Sequence, residues 1–166
     1  MAKHKISILV ENQAGVLSKV SGLFSRRGFN IESLAVGETE NPEFSRITIV
    51  VDSDLRTIDQ VINQLRKLIS VKIVKLLEPQ DCVSRELALI KAKAVPARRS
   101  EIIQIVNIFR AKIIDVSTES LTIEITGNSN KVNALIDFLI EFGIMEISRT
   151  GLIALDRGSR TITDIK

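Results

Sequence analysis

Residues 11–17, Glu-Asn-Gln-Ala-Gly-Val-Leu, hold the side chains and backbone positions best suited to gripping a small charged molecule. An apolar stripe begins at Val16 and predicts a helix, and the opening N–H groups of a helix have no partners within it. Such amides attract anions. A carboxylate placed there gains about 0.3–1 kcal/mol from the helix dipole and about 1.5–3 kcal/mol from each good charge-assisted hydrogen bond. Gly15, without a Cβ at the entrance to this helix, lets a ligand approach the backbone closely, while Asn12 offers one acceptor and two donors beside it. Asn30, after the same helix, can supply a second amide. The set suits a zwitterion, whose carboxylate wants donors and whose ammonium wants acceptors. A purely structural reading uses the same residues: Asn12 shapes a turn, Gly15 relieves the helix start, and Asn30 takes a left-handed conformation after Gly28. The N-x-x-G spacing does not decide between the two.

Other chemistry is poorly provided for. His4, the single histidine, stands among lysines at the start of the chain with no evident nucleophile or orienting acid, so catalysis is not expected. The single cysteine, Cys82, has no second thiol and reads as a small residue in a connector. Asp52 and Asp54 form a D-x-D that turn formation explains, and metal binding is not indicated. Net charge is +3, which permits an acidic partner without demanding nucleic acid. Trp and Tyr are absent and aromatics make up 4%, so surfaces on which bases stack are lacking. No stretch approaches the apolar length of a membrane span and the first residues lack a secretory pattern, so the chain reads as cytoplasmic and not membrane-bound.

The elements that position these residues follow from periodicity. Ile6, Ile8 and Val10 share one face of a strand over 5–10. Val16, Leu17, Val20, Leu23 and Phe24 form the helix stripe, ended by Arg26, Arg27 and a left-handed Gly28. Strands are predicted at 31–36 and 44–51, joined by the polar GETENPE. A second helix opens with Thr57 and Gln60 as a T-x-x-Q capping box, and a strand at 71–77 follows.

The polar, proline-containing stretch from Glu78 interrupts the pattern, and then the order restarts. A strand is predicted at 87–95, a helix on Ile102, Ile103, Val106 and Phe109, strands at 113–116 and 121–125, a helix on Val132, Leu135, Ile136 and Leu139 closed by Gly143, and a final strand at 145–155. The fold class is therefore α+β, two tandem ferredoxin-like βαββαβ sandwiches, each a four-stranded antiparallel sheet with two helices on one face. The expected division is 1–77, a linker at 78–84, 85–158 and a polar tail at 159–166. Units of about 75 residues with open sheet edges are small to stand alone, which predicts a homodimer or larger.

The stretch ENQAGVLSKVSGLFSRRGFNIESLAVG, followed by SRITIVV, resembles the opening of the small regulatory subunit of acetohydroxyacid synthase (acetolactate synthase), whose first domain is an ACT domain. ELALIKAKAVPARRSEI and RTGLIALDRG resemble that family's second domain and its end, so the likeness runs over roughly residues 3–160. It implies a non-catalytic subunit that activates a separate large subunit and imposes feedback inhibition by a branched-chain amino acid, usually valine. The thiamine diphosphate, divalent metal and FAD it implies belong to that catalytic partner, and this chain would carry no cofactor. Carried over, the effector site falls on Asn12, Gly15, Val16 and Leu17 of one chain and on Asn30 and Ile31, from a neighbouring chain. The second unit does not repeat it: AVPARRSE places Pro96, Arg98 and Arg99 where the first unit has Asn12 and Gly15. Lys91, Lys93, Arg98 and Arg99 read either as a solvated basic face or as a surface that grips a partner. Two rival readings are an amino-acid-sensing ACT protein serving another enzyme and an RNA-recognition module, which shares the βαββαβ order but needs aromatics on strands that here read ISILV and RITIVV.

Overall fold

The alternation of apolar residues in the first strand is realised over a longer span than its core positions require. The computed structural model describes residues 2–164, so Met1 of the first predicted domain, and Ile165 and Lys166 of the predicted tail, lie outside the described residues. The chain forms two compact units. One runs to Val83 and resumes at Leu152; the other is Ser84–Gly151.

In the first unit the order is β1 (Ala2–Glu11), α1 (Val16–Arg26), β2 (Ile31–Glu38), β3 (Phe44–Ser53), α2 (Leu55–Leu65) and β4 (Val71–Leu77). The sheet order is β2-β3-β1-β4, as a split βαβ pair requires. Register Ile6↔Ile49 and Ile8↔Ile47 sets the apolar residues of β1 and β3 on one face. There they meet Val20, Leu23 and Phe24 of α1 and Ile58, Val61 and Leu65 of α2. Full burial of each such side chain stabilises the unit by about 1.5–3 kcal/mol. Gly28, at φ 71°, ends α1 in the left-handed conformation predicted for it. The start of α2 differs from the prediction. Asp54, not Thr57, is the cap, and its carboxylate accepts from the Thr57 N–H and hydroxyl at 2.9 Å each. The cap sits three residues earlier because the Asp54 carboxylate takes the orphan N–H of Thr57, which lets the helix open at Leu55. His4, expected at a frayed end, lies within β1 opposite Val51, its Nε2 3.1 Å from Ser53 O.

The other face of this sheet is covered too. Ser7, Thr48, Val50 and Leu77 all point away from the helices and are all buried. A segment from Leu152 returns to this face: Leu152 N–H donates to Ser33 Oγ (3.0 Å), Ala154 packs with Leu77 and Cys82, and Ile162 is buried. Lys75 Nζ holds the segment by Asp156 Oδ2 (2.9 Å), Thr161 O (3.1 Å) and Asp164 O (3.2 Å). Cys82 thus belongs to a small core cluster and begins a strand; it is not a residue of a connector.

In the second unit β5 (Cys82–Lys93) starts five residues before the predicted strand, directly after a 3₁₀ turn at Pro79–Asp81. It is followed by α3 (Arg99–Ile108), β6 (Lys112–Val116), β7 (Ser120–Gly127), α4 (Ser129–Leu139) and β8 (Ile144–Arg149), in sheet order β6-β7-β5-β8. Ala88, Ile90, Leu121, Ile123 and Ile125 face Ile102, Val106, Val132, Leu135 and Leu139. The predicted single strand at 145–155 is two, β8 and β9 (Ile153–Asp156), because Gly151 between them has φ 82° and breaks the extended run. The end of α3 has no glycine, and Arg110 takes the left-handed position itself, at φ 53°.

Candidate functional site

Four helices begin in different ways, and the difference singles out α1. The Asp54 carboxylate caps α2, and the amide of Asn128 caps α4 through the Lys131 N–H at 2.9 Å. Helix α3 has no side-chain cap but carries Glu101 in its first turn. Among the described helices, α1 alone has neither a side-chain cap nor an acid in its first turn. Gly15 O accepts from Lys19 N–H at 3.1 Å, and Val16 N–H reaches Gln13 O only at 3.4 Å. The N–H groups of Leu17 and Ser18 meet no protein acceptor among the described residues. Donors with the positive end of a helix dipole behind them are what a carboxylate requires.

Gly15 sits at this start with φ 84°, so its first requirement is conformational: an L side chain there is strained. A Cβ would also meet nothing within 4 Å, so the space above the amides is open. Asn12 is exposed and ties the loop to the β2–β3 hairpin, its N–H donating to Glu43 O (2.8 Å) and its Nδ2 to Pro42 O (2.9 Å). The turn-shaping role is therefore real, and one side-chain donor is already engaged. Val16 is buried in the core, whereas Leu17 is 42% exposed. Glu11, at the end of β1, is neutralised by Lys72 at 2.5 Å.

Asn30 and Ile31 lie elsewhere. They follow the C-terminus of α1, about 16 Å along the helix from Gly15 given its 11 residues. Within one chain the structure brings Asn12, Gly15, Val16 and Leu17 together and does not bring Asn30 and Ile31 to them. Asn30 is exposed and is not left-handed, since Arg110 is the one described non-glycine residue with positive φ, so the left-handed reading of Asn30 is overturned. Ile31 is half-buried against the core and opens β2, an edge strand of the sheet.

Beside the α1 start runs a cleft of about 270 Å³ lined by Val16, Lys19, Val20 and the turn from Lys67 to Val71. Nothing in the α2–β4 turn marks it as part of a lining when read alone; the signal is the Glu11 N–H bond to Ser70 O, which draws that turn against the end of β1.

The corresponding loop of the second unit is closed by its own arginines. One Arg99 Nη atom donates to Ala94 O (3.0 Å), Ser117 O and Thr118 O (2.7 Å each). Arg98 forks onto Glu101 (3.1 and 3.2 Å) and stacks 4.3 Å from the Phe142 ring centroid. That pairing raises the Arg98 pKa and lowers that of Glu101, the hydrogen bond being the main cause in each. Lys91 pairs with Glu146 at 2.8 Å, raising the lysine pKa and lowering the glutamate's through the same bond. Three of the four residues read as a basic face, Lys91, Arg98 and Arg99, make contacts within their own unit, and all three stay partly exposed.

Among the described residues no group of three or more His, Cys, Asp and Glu side chains could hold a metal ion, and no helix is long and apolar enough to cross a membrane.

Comparison with known proteins adds an independent line. Residues 6–72 match the family described as the AHAS small subunit-like ACT domain, and residues 85–158 match the family described as the small subunit of acetolactate synthase. The acetolactate synthase small subunit of Mycobacterium bovis is 53% identical over 165 residues, 98% of this chain and 97% of that protein. That of Mycolicibacterium smegmatis is 53% identical over 159 residues, 96% of this chain and 94% of that protein. The crystal structure of the acetolactate synthase small subunit of Thermotoga maritima superposes with a TM-score of 0.89 at 46% identity, covering 96% of this chain and all of that one.

Proposed function

The chain belongs to the family of acetolactate synthase small subunits, regulatory and not catalytic partners of that enzyme, and we propose that it activates a large subunit and makes it answer to valine or a close branched-chain relative. The observation that carries the effector site is the start of α1: two N–H groups without protein acceptors, no competing acid, and an open approach over a left-handed glycine. A carboxylate seats on these amides, and the aliphatic side chain of the effector lies near exposed Leu17.

The site is completed by a second copy. β2 is an edge strand, and antiparallel pairing of two β2 edges about a two-fold axis sets the start of one β2 beside the end of the other. The hairpin at that end is the one to which Asn12 is bonded. Asn30 and Ile31 of one copy then reach the Asn12–Leu17 loop of the next, where the Asn30 carboxamide meets the ligand's polar end. Functionally, residues 1–77 bind the effector, 78–84 join, and 85–158 act on the large subunit; the tail 159–166 belongs to the control of the first part. The thiamine diphosphate, divalent metal and FAD belong to the large subunit.

Gly15→Asp tests the reading, because it sets a like charge where the carboxylate lands. Calorimetry is expected to show valine binding lost, and the reconstituted complex is expected to keep its activation and lose valine inhibition. Gly15→Ala carries the same backbone strain without the charge and separates the two effects. Valine inhibition unchanged in a folded Gly15→Asp protein would rule the site out.

A further inference from the structure

The edge strand that carries Ile31 also carries a contact that no effector site requires. Ser33 lies two residues beyond Ile31, and the register of β2 on β3 shifts between them, so this short span departs from regular pairing. Past the shift Ser33 pairs with Val50 and faces away from the helices, where its Oγ accepts the N–H of Leu152 at 3.0 Å. Leu152 is the first residue of the returning segment, and the residue before it, Gly151 at φ 82°, is the point at which the chain leaves the second unit. One residue earlier, Thr150 is fixed in the second unit by its N–H to Leu87 O at 3.0 Å and by its hydroxyl, which accepts from Leu87 N–H at 3.0 Å. Further along, Asp156 joins Lys75 at 2.9 Å with its own side chain almost fully buried, and its charge also acts on Arg46 of β3.

We infer that Ser33 and Lys75 are positioning residues for the effector response: Ser33 joins the start of β2 to the strap 152–164 and Lys75 of β4 holds that strap on the sheet, so that a ligand gripped by Asn30 and Ile31 is felt at the covalent link to the second unit. The inference rests on the effector reading above. A ligand shifts a conformational equilibrium only through contacts that differ between its states, and an irregular edge strand bonded to a returning strap is an element that can have two arrangements. Ser33 Oγ and Lys75 Nζ touch neither the α1 start nor Asn30, so removing them leaves the binding residues in place.

The test uses the full chain reconstituted with a large subunit. Ser33→Ala is expected to bind valine in calorimetry with little change, while the valine concentration for half-inhibition rises about tenfold. Ser33→Thr, which keeps an acceptor, restores it. Lys75→Met is expected to do the same and to raise hydrogen exchange at residues 152–156. In the wild-type protein, valine slows exchange at Leu152; in Ser33→Ala it does not. Ser33→Ala that binds and is inhibited like wild type would overturn this inference alone. Wild-type protein that does not bind valine at all would overturn the effector reading, and this one with it.

Discussion

Helices α1 and α3 begin at equivalent places in two copies of one βαββαβ plan, yet one start is open and the other is shut by its own side chains. In the first unit a left-handed glycine and an asparagine bonded to the neighbouring hairpin leave two amides presented to solvent. In the second unit Arg99 spans three carbonyls and Arg98 turns onto Glu101 and Phe142. The fold supplies a helix dipole in both places, and the loop sequence decides whether its amides stay open or are closed over by side chains. The outer sheet faces differ in the same sense. That of the first unit is sealed by the strap, whereas that of the second carries Lys91, Glu146, Thr122 and Glu124, all partly or fully exposed.

The largest effect that would break the comparison comes from the ion pair that holds the buried Glu86 of the second unit. Glu86, 3% exposed at its side chain, is held by Arg149 at 2.5 and 3.0 Å. Arg149→Met strands that carboxylate and is expected to cost about 3 kcal/mol in denaturant unfolding. Protection from hydrogen exchange should fall in β5 and β8 while β1 and β3 keep theirs; equal loss in both would mean that the units do not keep separate stabilities. Arg99→Met frees three carbonyls and is expected to cost about 2 kcal/mol. It should not create valine binding, since the loop has no glycine at the helix start.

Smaller effects sharpen the contrast between caps. Asn128→Ala removes a working cap and should cost about 1 kcal/mol. Gly15→Ala should cost about as much, through a left-handed φ and not through a lost hydrogen bond. The smallest effect is a pH dependence of the strap. The Thr161 amide and hydroxyl, with Lys75 nearby, hold the Asp164 carboxyl below its ordinary pKa. A depressed carboxylate contributes stability that is complete above its unfolded pKa, about 3.9, and is lost as pH falls through the lower folded value. Exchange at 159–164 should therefore rise on acidification ahead of the cores, and Asp164→Asn should show raised exchange already at neutral pH with that acid step removed.

Much of this was legible in the residues. Period-two and period-3.6 patterns located the strands and helices that pack the two larger cores, because those patterns are the record of burial. The stop at Gly28 was legible because a left-handed helix end favours the one residue without a Cβ. What escaped was set by partners distant in sequence. The return of Leu152 to Ser33 joins residues 119 apart in number, and the apolar run 152–155 reads in sequence as the end of the strand predicted at 145–155. Arg99 reads as a surface charge because its acceptors are carbonyls, which any residue carries. Asn30 groups with Asn12 in the sequence because it follows the same helix, yet the fold sets the two at opposite ends of α1.

Amide chemical shifts of the isotopically labelled full chain, followed as valine is added, test the central claim most directly. Saturable shifts centred on Gly15–Ser18 and on Asn30–Ile31, with Arg98–Ile102 unmoved, are the result expected. Shifts centred on the start of α3, or none at Leu17 and Ser18 at any valine concentration, would contradict it.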